Sequence, residues 1–309
     1  MERKPIVITP KEARSQINAF GLPLCIYAAS TLLLYNGAAF FTRYFPGIFG
    51  SFDIDLAVFA AATVIEVILT IMILHIGAVK LRLPLQDYLK KTEITPVTKL
   101  LLGCMPVAIT LILMSLISIV TFFFTPARAS FAFLGDFSSP LLIVKNIVYF
   151  ALFIIIRPLA DELIFRGVVQ RQLGHYGRYF GVFASALLFA LTQPNLSEAL
   201  IAFFTGWFYA ILTLKYHSLR PTIAAHISTA FFLWLLDAMP DQWLFVRVLM
   251  IIAAYVITML TFFLKAVPYE LFFPKNGVSK RLWKILFSAS SIRICTILFV
   301  VSIILSLML

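Results

Sequence analysis

The feature that most constrains this sequence is a series of apolar segments, each close to the length of a membrane-spanning helix. A helix needs about 20 apolar residues to cross a bilayer. Nine segments approach this length: 19–41, 56–79, 100–124, 143–165, 180–193, 197–214, 221–236, 244–264 and 286–309. The fifth and seventh are short, so we expect them to be tilted or partly re-entrant. The sequence therefore predicts an all-α, polytopic helical integral membrane protein with about eight or nine transmembrane helices.

Composition excludes the other broad classes of protein. The chain is 61% apolar and 13% charged, whereas a soluble domain is about 45–50% apolar and about 25% charged. It has too little polar material for a soluble enzyme or a disordered chain. Three cysteines, each within an apolar run, cannot form a disulfide framework. The first apolar run is too long for a signal peptide, so we interpret it as a retained anchor.

The basic residues predict how the spans are oriented. With the N-terminus inside, 19 of the 25 Lys and Arg residues fall on inner segments, whereas outer segments hold only Arg43 and Arg128. Cytoplasmic loops carry such an excess. We therefore expect a multi-pass protein of the cytoplasmic membrane with its N-terminus inside and its C-terminus outside. Topology and membrane lipids as partners then account for the net charge of +11, and no nucleic-acid partner is expected.

This topology predicts four regions along the chain. Residues 1–18 form a cytoplasmic N-terminal segment, 19–140 hold the N-terminal transmembrane helices, and 241–309 hold the C-terminal ones. Residues 141–240 carry most of the ionisable side chains that lie within spans, and we expect the functional core there.

Ionisable side chains within spans are the candidates for function. Each costs at least about 2.5–3.5 kcal/mol at the bilayer centre, so it needs a partner or a task. The densest group is in the fourth span, where Arg157 and Asp161, and likewise Glu162 and Arg166, are four residues apart. This spacing places each pair on neighbouring helical turns. Two interpretations stay open: two structural ion pairs, or one structural pair beside a carboxylate that faces a cavity and acts as a general base.

Two isolated ionisable residues join this group. Glu66 lies in the second span without a charged neighbour at helical spacing, so its partner must come from another helix, and Arg157 and Lys145 are the candidates. His226 lies in the seventh span, about one and a half turns after Pro221, which suits the first turn of a helix. A lone His of this kind is either a buried hydrogen-bonding residue or part of a site.

These residues form a pattern that resembles a known family. The segment 161–167, Asp-Glu-Leu-Ile-Phe-Arg-Gly, is similar to the Glu-Glu-x-x-x-Arg motif of the CPBP family, the CAAX prenyl endopeptidases and bacteriocin-processing (Abi) proteins. Residues 184–193 resemble its second motif, Phe-x-x-x-His, and 203–207 resemble its Gly-containing helix. Residues 226–230 resemble its third motif, His-x-x-x-Asn. Order and spacing match over roughly 150–236.

The resemblance implies an intramembrane endopeptidase that cuts a peptide or membrane-protein substrate at the inner side of the membrane, without a cofactor. In the family, the first-motif Glu and second-motif His activate a water, and the third-motif His and Asn stabilise the oxyanion. The matching catalytic positions here are Asp161, Glu162, Gln193 and His226, and the supporting ones are Arg166, Thr229, Ala230 and Arg157. We expect the four catalytic positions to line one cavity. A catalytic zinc is not expected, because it usually takes three protein ligands.

Three positions depart from the family pattern. Asp161 replaces a Glu, and a misplacement of about 1 Å can cost about 100-fold in rate. Gln193 replaces a His and cannot accept and return a proton. Ala230 replaces an Asn, and loss of one oxyanion donor costs about 100- to 1000-fold. Thr229 and Asn195 are candidates for replacing the lost donor.

Three functions remain open. The first is an active CPBP-type endopeptidase, with either Asp161 or Glu162 as the base. The second is a catalytically silent family member that acts as a membrane scaffold or bacteriocin-immunity-like protein. The third is a transporter or channel with Glu66, Lys145 and Arg157 in its pathway. The sequence lacks the inverted repeat that many transporters carry, which disfavours the third.

Overall fold

The computed structural model of the protein describes residues 9–45, 54–124, 140–239, 241–263 and 278–308. Ten helices and two short 3₁₀ turns make up these ranges, which contain no strand. The helices are α1 (Pro10–Tyr44), α2 (Ile54–Val79), α3 (Pro96–Phe124), α4 (140–174), α5 (Arg178–Ala190), α6 (Leu196–Tyr216), α7 (Arg220–Ala238), α8 (Leu244–Phe263), α9 (Lys280–Ser288) and α10 (Ser290–Met308). The predicted all-α, polytopic membrane architecture is confirmed.

Seven of the described helices are long and apolar enough to cross a membrane: α1, α2, α3, α4, α6, α8 and α10. The two predicted spans outside this set are those that the sequence marks as short. Helix α5 has 13 residues, and α7 has 19 residues that include His226. The last predicted span, 286–309, is divided at Ala289, whose extended backbone separates α9 from α10. Arg128 lies outside the described residues.

Helix α1 begins earlier than the first apolar run. The Thr9 hydroxyl accepts a hydrogen bond from the Glu12 N–H at 3.3 Å, and the Glu12 carboxylate accepts one from the Thr9 N–H at 3.0 Å. This capping box satisfies two backbone donors, and Pro10 suits the first helical position. Residues 10–18 of the predicted N-terminal segment are therefore the first turns of a continuous helix.

Helix α4 lies at the centre of the fold, in contact with α2, α5, α6 and α7. It contains two π-helical segments, Phe150–Ile156 and Glu162–Gln170. Such segments are rare and are frequent at functional sites. Ile164, Phe165 and Val169 in the second segment are fully buried. This packing fixes the rotation of α4 and thus the direction of the Glu162 side chain.

Close approach of the helices depends on one glycine. A Cβ atom on Gly181 of α5 would lie 2.7 Å from the Gln170 carbonyl oxygen at the end of α4. Only a residue without a side chain lets α5 pack this near to α4. The Gln170 side chain then donates a hydrogen bond to the Ala210 carbonyl at 2.8 Å, which joins α4 to α6.

Helix α9 is a short amphipathic helix at the start of the last span. Lys280, Arg281 and Lys284 are exposed, whereas Leu286 is buried. The Trp283 ring contacts Phe180 of α5 edge-on, with ring centroids 5.4 Å apart. A basic face opposite an apolar face is typical of a helix that lies in the membrane interface.

Candidate active site

The predicted site is centred on a contact between α4 and α7. The Nδ1 atom of His226 lies 2.9 Å from Oε1 of Glu162, although the two residues are 64 positions apart in sequence. Glu162 is fully buried, and 16% of the His226 side chain is exposed. The prediction that these two side chains lie within reach of one another is confirmed by this direct contact.

Arg166 holds the other side of the Glu162 carboxylate. Its Nε atom lies 3.4 Å from Oε2 of Glu162, and both side chains are fully buried. The ion pair predicted from the spacing of four residues is confirmed. The Nη2 group of Arg166 donates a hydrogen bond to the Gly206 carbonyl at 2.7 Å. A Cβ atom on Gly206 would lie 2.8 Å from Nη2, so the glycine gives the guanidinium its space.

Aromatic rings enclose this charged group. The Arg166 Cζ atom lies 5.0 Å from the Phe189 ring centroid and 5.6 Å from that of Tyr209, within the range of cation–π attraction. The Tyr209 ring stacks on the His226 imidazole, with centroids 4.6 Å apart. Sequence reasoning missed Tyr209. Its position three residues after Gly206, on the same helical face, is the signal that would have found it.

Arg157 forms an ion pair with a different helix from the one that its spacing suggested. Its Nε atom lies 3.1 Å from Oε2 of Glu66 in α2, and its terminal nitrogens donate to Tyr27 and Tyr35 of α1 at 3.4 Å each. The ion pairs of the described residues do not include one between Arg157 and Asp161, so the interpretation with two structural ion pairs within the fourth span is not supported. Glu66 is 1% exposed, and a carboxylate buried to this degree requires a cation. The alternative that Glu66 pairs with Arg157 is confirmed.

Asp161 lies between the two charged groups. It is buried, its carboxyl group is within hydrogen-bonding reach of the Glu66 carboxyl group, and it interacts electrostatically with His226. One oxygen of Asp161 and one of Glu66 have no other hydrogen-bond partner among the described residues. Asp161 therefore lies next to the Arg157–Glu66 ion pair on one side and the Glu162–His226 pair on the other.

Gln193 and Ala230 make fewer polar contacts at the candidate active site than the family pattern implies. Gln193 lies in the turn after α5, and its amide donates to the Phe189 carbonyl of that helix at 3.2 Å. The hydrogen bonds described for it do not join it to Glu162 or His226. That Gln193 lines the same cavity stays a prediction. Ala230 is buried one turn beyond His226 and has no polar side chain to offer.

Both candidates for the missing oxyanion donor have other tasks. The Thr229 hydroxyl donates to the Ala225 carbonyl at 2.8 Å and accepts from the Tyr209 hydroxyl at 3.2 Å, so its only proton is used. Asn195 caps α6: its side chain accepts from the Glu198 N–H and donates to the Glu198 carboxylate, both at 2.9 Å. Of these partners only Tyr209 comes from another helix, and the sequence does not reveal that contact.

Metal binding receives no support from the described side chains. Within the ranges that the structure describes, no group of three or more His, Cys, Asp or Glu residues is placed to hold a metal ion. The prediction that the site needs no cofactor stays a prediction.

The fold is that of a multi-pass membrane protein, and a carboxylate–histidine pair lies among its helices. Residues 143–232, from α4 to α7, match the Rce1-like family, described as type II CAAX prenyl endopeptidase Rce1-like. This match confirms the resemblance to the CPBP family of intramembrane proteases, and the matched region contains Glu162, Arg166 and His226. Neither the curated proteins nor the solved structures searched gave a match to the chain.

Proposed function

We propose that this protein is a CPBP-type intramembrane endopeptidase that hydrolyses a peptide bond at the inner side of the membrane, with His226 as the general base. The contact of 2.9 Å between His226 and Glu162 carries this proposal. The family match at 143–232 supports the class of reaction and the assignment of 141–240 as the catalytic core.

The geometry of the pair is suited to a general-base histidine, His226, whose ring is oriented by the Glu162 carboxylate. A proton on Nδ1 of His226, donated to the buried Glu162 carboxylate, leaves the lone pair on Nε2. His226 is the partly exposed member of the pair, so its ring is the part that reaches a water. Fixing the tautomer and stabilising the imidazolium are the two tasks of the carboxylate in a catalytic triad.

The reaction then has two proton transfers. Nε2 of His226 takes a proton from water while the water oxygen bonds to the peptide carbonyl carbon, and the C=O π electrons move to the oxygen. The imidazolium next gives its proton to the amide nitrogen as the C–N bond breaks. Arg166 keeps Glu162 in place, and we assign Asp161 the positioning of the water, because it is the second acid within electrostatic reach of His226.

A second candidate is a catalytically silent member that binds peptides or partners as a membrane scaffold or bacteriocin-immunity-like protein. Its support is the state of the family positions in this chain. The Gln193 amide cannot accept and return a proton, and it donates to the Phe189 carbonyl of α5. The proton of Thr229 goes to the Ala225 carbonyl, and Ala230 has no donor, so neither of these two side chains supplies the oxyanion donor that the family uses.

A cleavage assay separates the two candidates. Purified protein in detergent is given a fluorogenic prenylated peptide that ends in a CAAX sequence, beside a triple variant: Asp161→Glu, Gln193→His and Ala230→Asn. If the protein is an enzyme with His226 as base, the wild type cleaves and the triple change brings no gain. The proposal would be overturned if the wild type cleaved the peptide only at the background rate and the triple variant cleaved it at least about 100-fold faster. The triple variant with His226→Ala is the control.

We also propose that the N-terminus lies inside and the C-terminus outside. The basic residues at the connection α4–α5 support this orientation, since Arg171 and Arg178 flank it. Lys215 and Arg220 flank the connection α6–α7 and support the same orientation if α5 also crosses the membrane. A reporter fused after Leu309 is expected to behave as extracytoplasmic, whether seven or nine helices cross. A reporter inserted at His217 reads cytoplasmic only if α5 crosses the membrane. A cytoplasmic signal after Leu309 would contradict the proposed orientation.

A further inference from the structure

A polar cleft of about 810 Å³ lies away from the candidate active site. It is bounded by the first turns of α1, the end of α2 and the junction of α9 with α10. Four basic residues from three helix ends line it: Lys11, Arg14, Lys80 and Arg293. Ser and Asn side chains fill the spaces between them, and no acidic residue is among the lining residues.

Among the described residues, no acidic side chain pairs with the four positive charges of the cleft. All four side chains are exposed, and in the described part of the chain none of them forms an ion pair. Like charges that converge from separate helices repel one another. The guanidinium and ammonium groups and the hydroxyls around them are the donors that a phosphate group takes. The cleft therefore has the chemistry of a site for a phosphate-bearing anion.

The position of the cleft points to a lipid. Lys11, Lys80 and Arg293 lie at the ends of three helices that are long enough to cross a membrane, where headgroups are found. Arg281 and Lys284 of α9 extend the positive surface beside the cleft. Basic pockets between helices on the cytoplasmic side are suited to anionic headgroups.

An apolar path continues from the cleft along two of the helices. Leu22 lines the cleft and is 57% exposed, and Ile26 one turn further along α1 is 42% exposed. On α10, Ile297 follows Arg293 by one turn and is 62% exposed. Residues four apart share one face of a helix, so exposed apolar side chains follow the charged ones on both helices. A soluble phosphate would leave this path uncovered, whereas an acyl chain would cover it.

We propose that this cleft binds the headgroup of an anionic phospholipid, with the phosphate held by the four basic residues and an acyl chain against Leu22, Ile26 and Ile297. The site is separate from Glu162 and His226, so the proposal does not depend on proteolytic activity. The basic residues on the inner segments thus have a local function in addition to their effect on topology.

Native mass spectrometry of the full-length protein in detergent tests this proposal, with phosphatidylglycerol or phosphatidylcholine added. The test variant is Lys11→Gln, Arg14→Gln, Lys80→Gln and Arg293→Gln. The control removes the same charge from exposed residues elsewhere: Lys91→Gln, Lys99→Gln, Arg178→Gln and Arg220→Gln. One bound phosphatidylglycerol is expected on the wild type and the control. Its affinity should fall by about 100-fold or more in the test variant, because each of the four basic residues contributes about fivefold.

Two further arms make the outcome decisive. Glycerol 3-phosphate at the same concentration should not displace the lipid, and Leu22→Asn should weaken lipid binding without a change in charge. Equal retention of phosphatidylglycerol by the test and control variants would overturn the proposal. So would displacement by glycerol 3-phosphate, which would assign the cleft to a soluble phosphate. Thermal unfolding of each variant checks the fold, and Lys80→Gln alone provides a milder change.

Discussion

Glu162→Gln is expected to lower the kcat of peptide cleavage by about 10³- to 10⁴-fold, while KM changes by less than about threefold. The substitution keeps the size of the side chain and an oxygen near Nδ1 of His226. It removes the negative charge that stabilises the imidazolium and the fixed tautomer that leaves Nε2 free. Because Glu162 is fully buried, substrate binding should hardly change. Steady-state kinetics with the prenylated peptide measures both constants.

Glu198→Gln is the matched control for this change. Glu198 is a partly buried glutamate of α6 whose partner is Asn195, so activity should stay within about twofold of the wild type. Glu162→Asp should keep part of the activity because the charge remains. If Glu162→Gln keeps more than a tenth of the wild-type rate while Asp161→Asn abolishes it, then Asp161 is the base and the assignment of His226 is wrong.

Arg166→Met is expected to lower the free energy of unfolding by about 3–5 kcal/mol. The guanidinium is fully buried, balances the charge of Glu162 and donates to the Gly206 carbonyl. Its removal leaves a buried carboxylate without its cation and a buried carbonyl without its donor, and each loss is costly. Thermal and denaturant unfolding in detergent measure the effect, which should be visible as reduced expression before any kinetic assay.

Two variants check this interpretation. Arg178→Met changes an exposed arginine and should alter stability by no more than about 0.5 kcal/mol. Arg166→Met with Glu162→Leu removes both charges and should recover much of the lost stability, because a buried ion pair is replaced by apolar contacts. The double variant should remain inactive. A double variant as unstable as Arg166→Met would show that the guanidinium acts through Gly206 and the aromatic rings rather than through Glu162.

Two of the residues that the transporter or channel interpretation needs, Glu66 and Arg157, have structural roles instead. Glu66 and Arg157 form an ion pair with each other, and Tyr27 and Tyr35 accept the remaining hydrogen bonds of the guanidinium. This ion pair and its two tyrosine contacts tie α1, α2 and α4 together. Its contact with Asp161 brings this structural group next to the candidate active site.

Local patterns in the sequence were sufficient for several features of this protein. Long apolar runs predicted the helical membrane fold, because the cost of burying polar backbone in lipid leaves few alternatives. The spacing of Glu162 and Arg166 predicted their ion pair, since both lie on one helix whose period is known. The motifs that include His226 indicated the protease family. In each case the signal lies within one element or in the order of elements along the chain.

Only the tertiary structure decided which side chains meet across helices. Arg157 forms its ion pair with Glu66, 91 residues away, rather than with Asp161. The Tyr209 ring packs against the imidazole of His226. The hydroxyl of Thr229 was taken by neighbours that the motif does not mention. The physical reason is that contacts between helices depend on the rotation and depth of each one. Packing of buried side chains such as Ile164 sets that rotation, and no periodicity within a single helix records it.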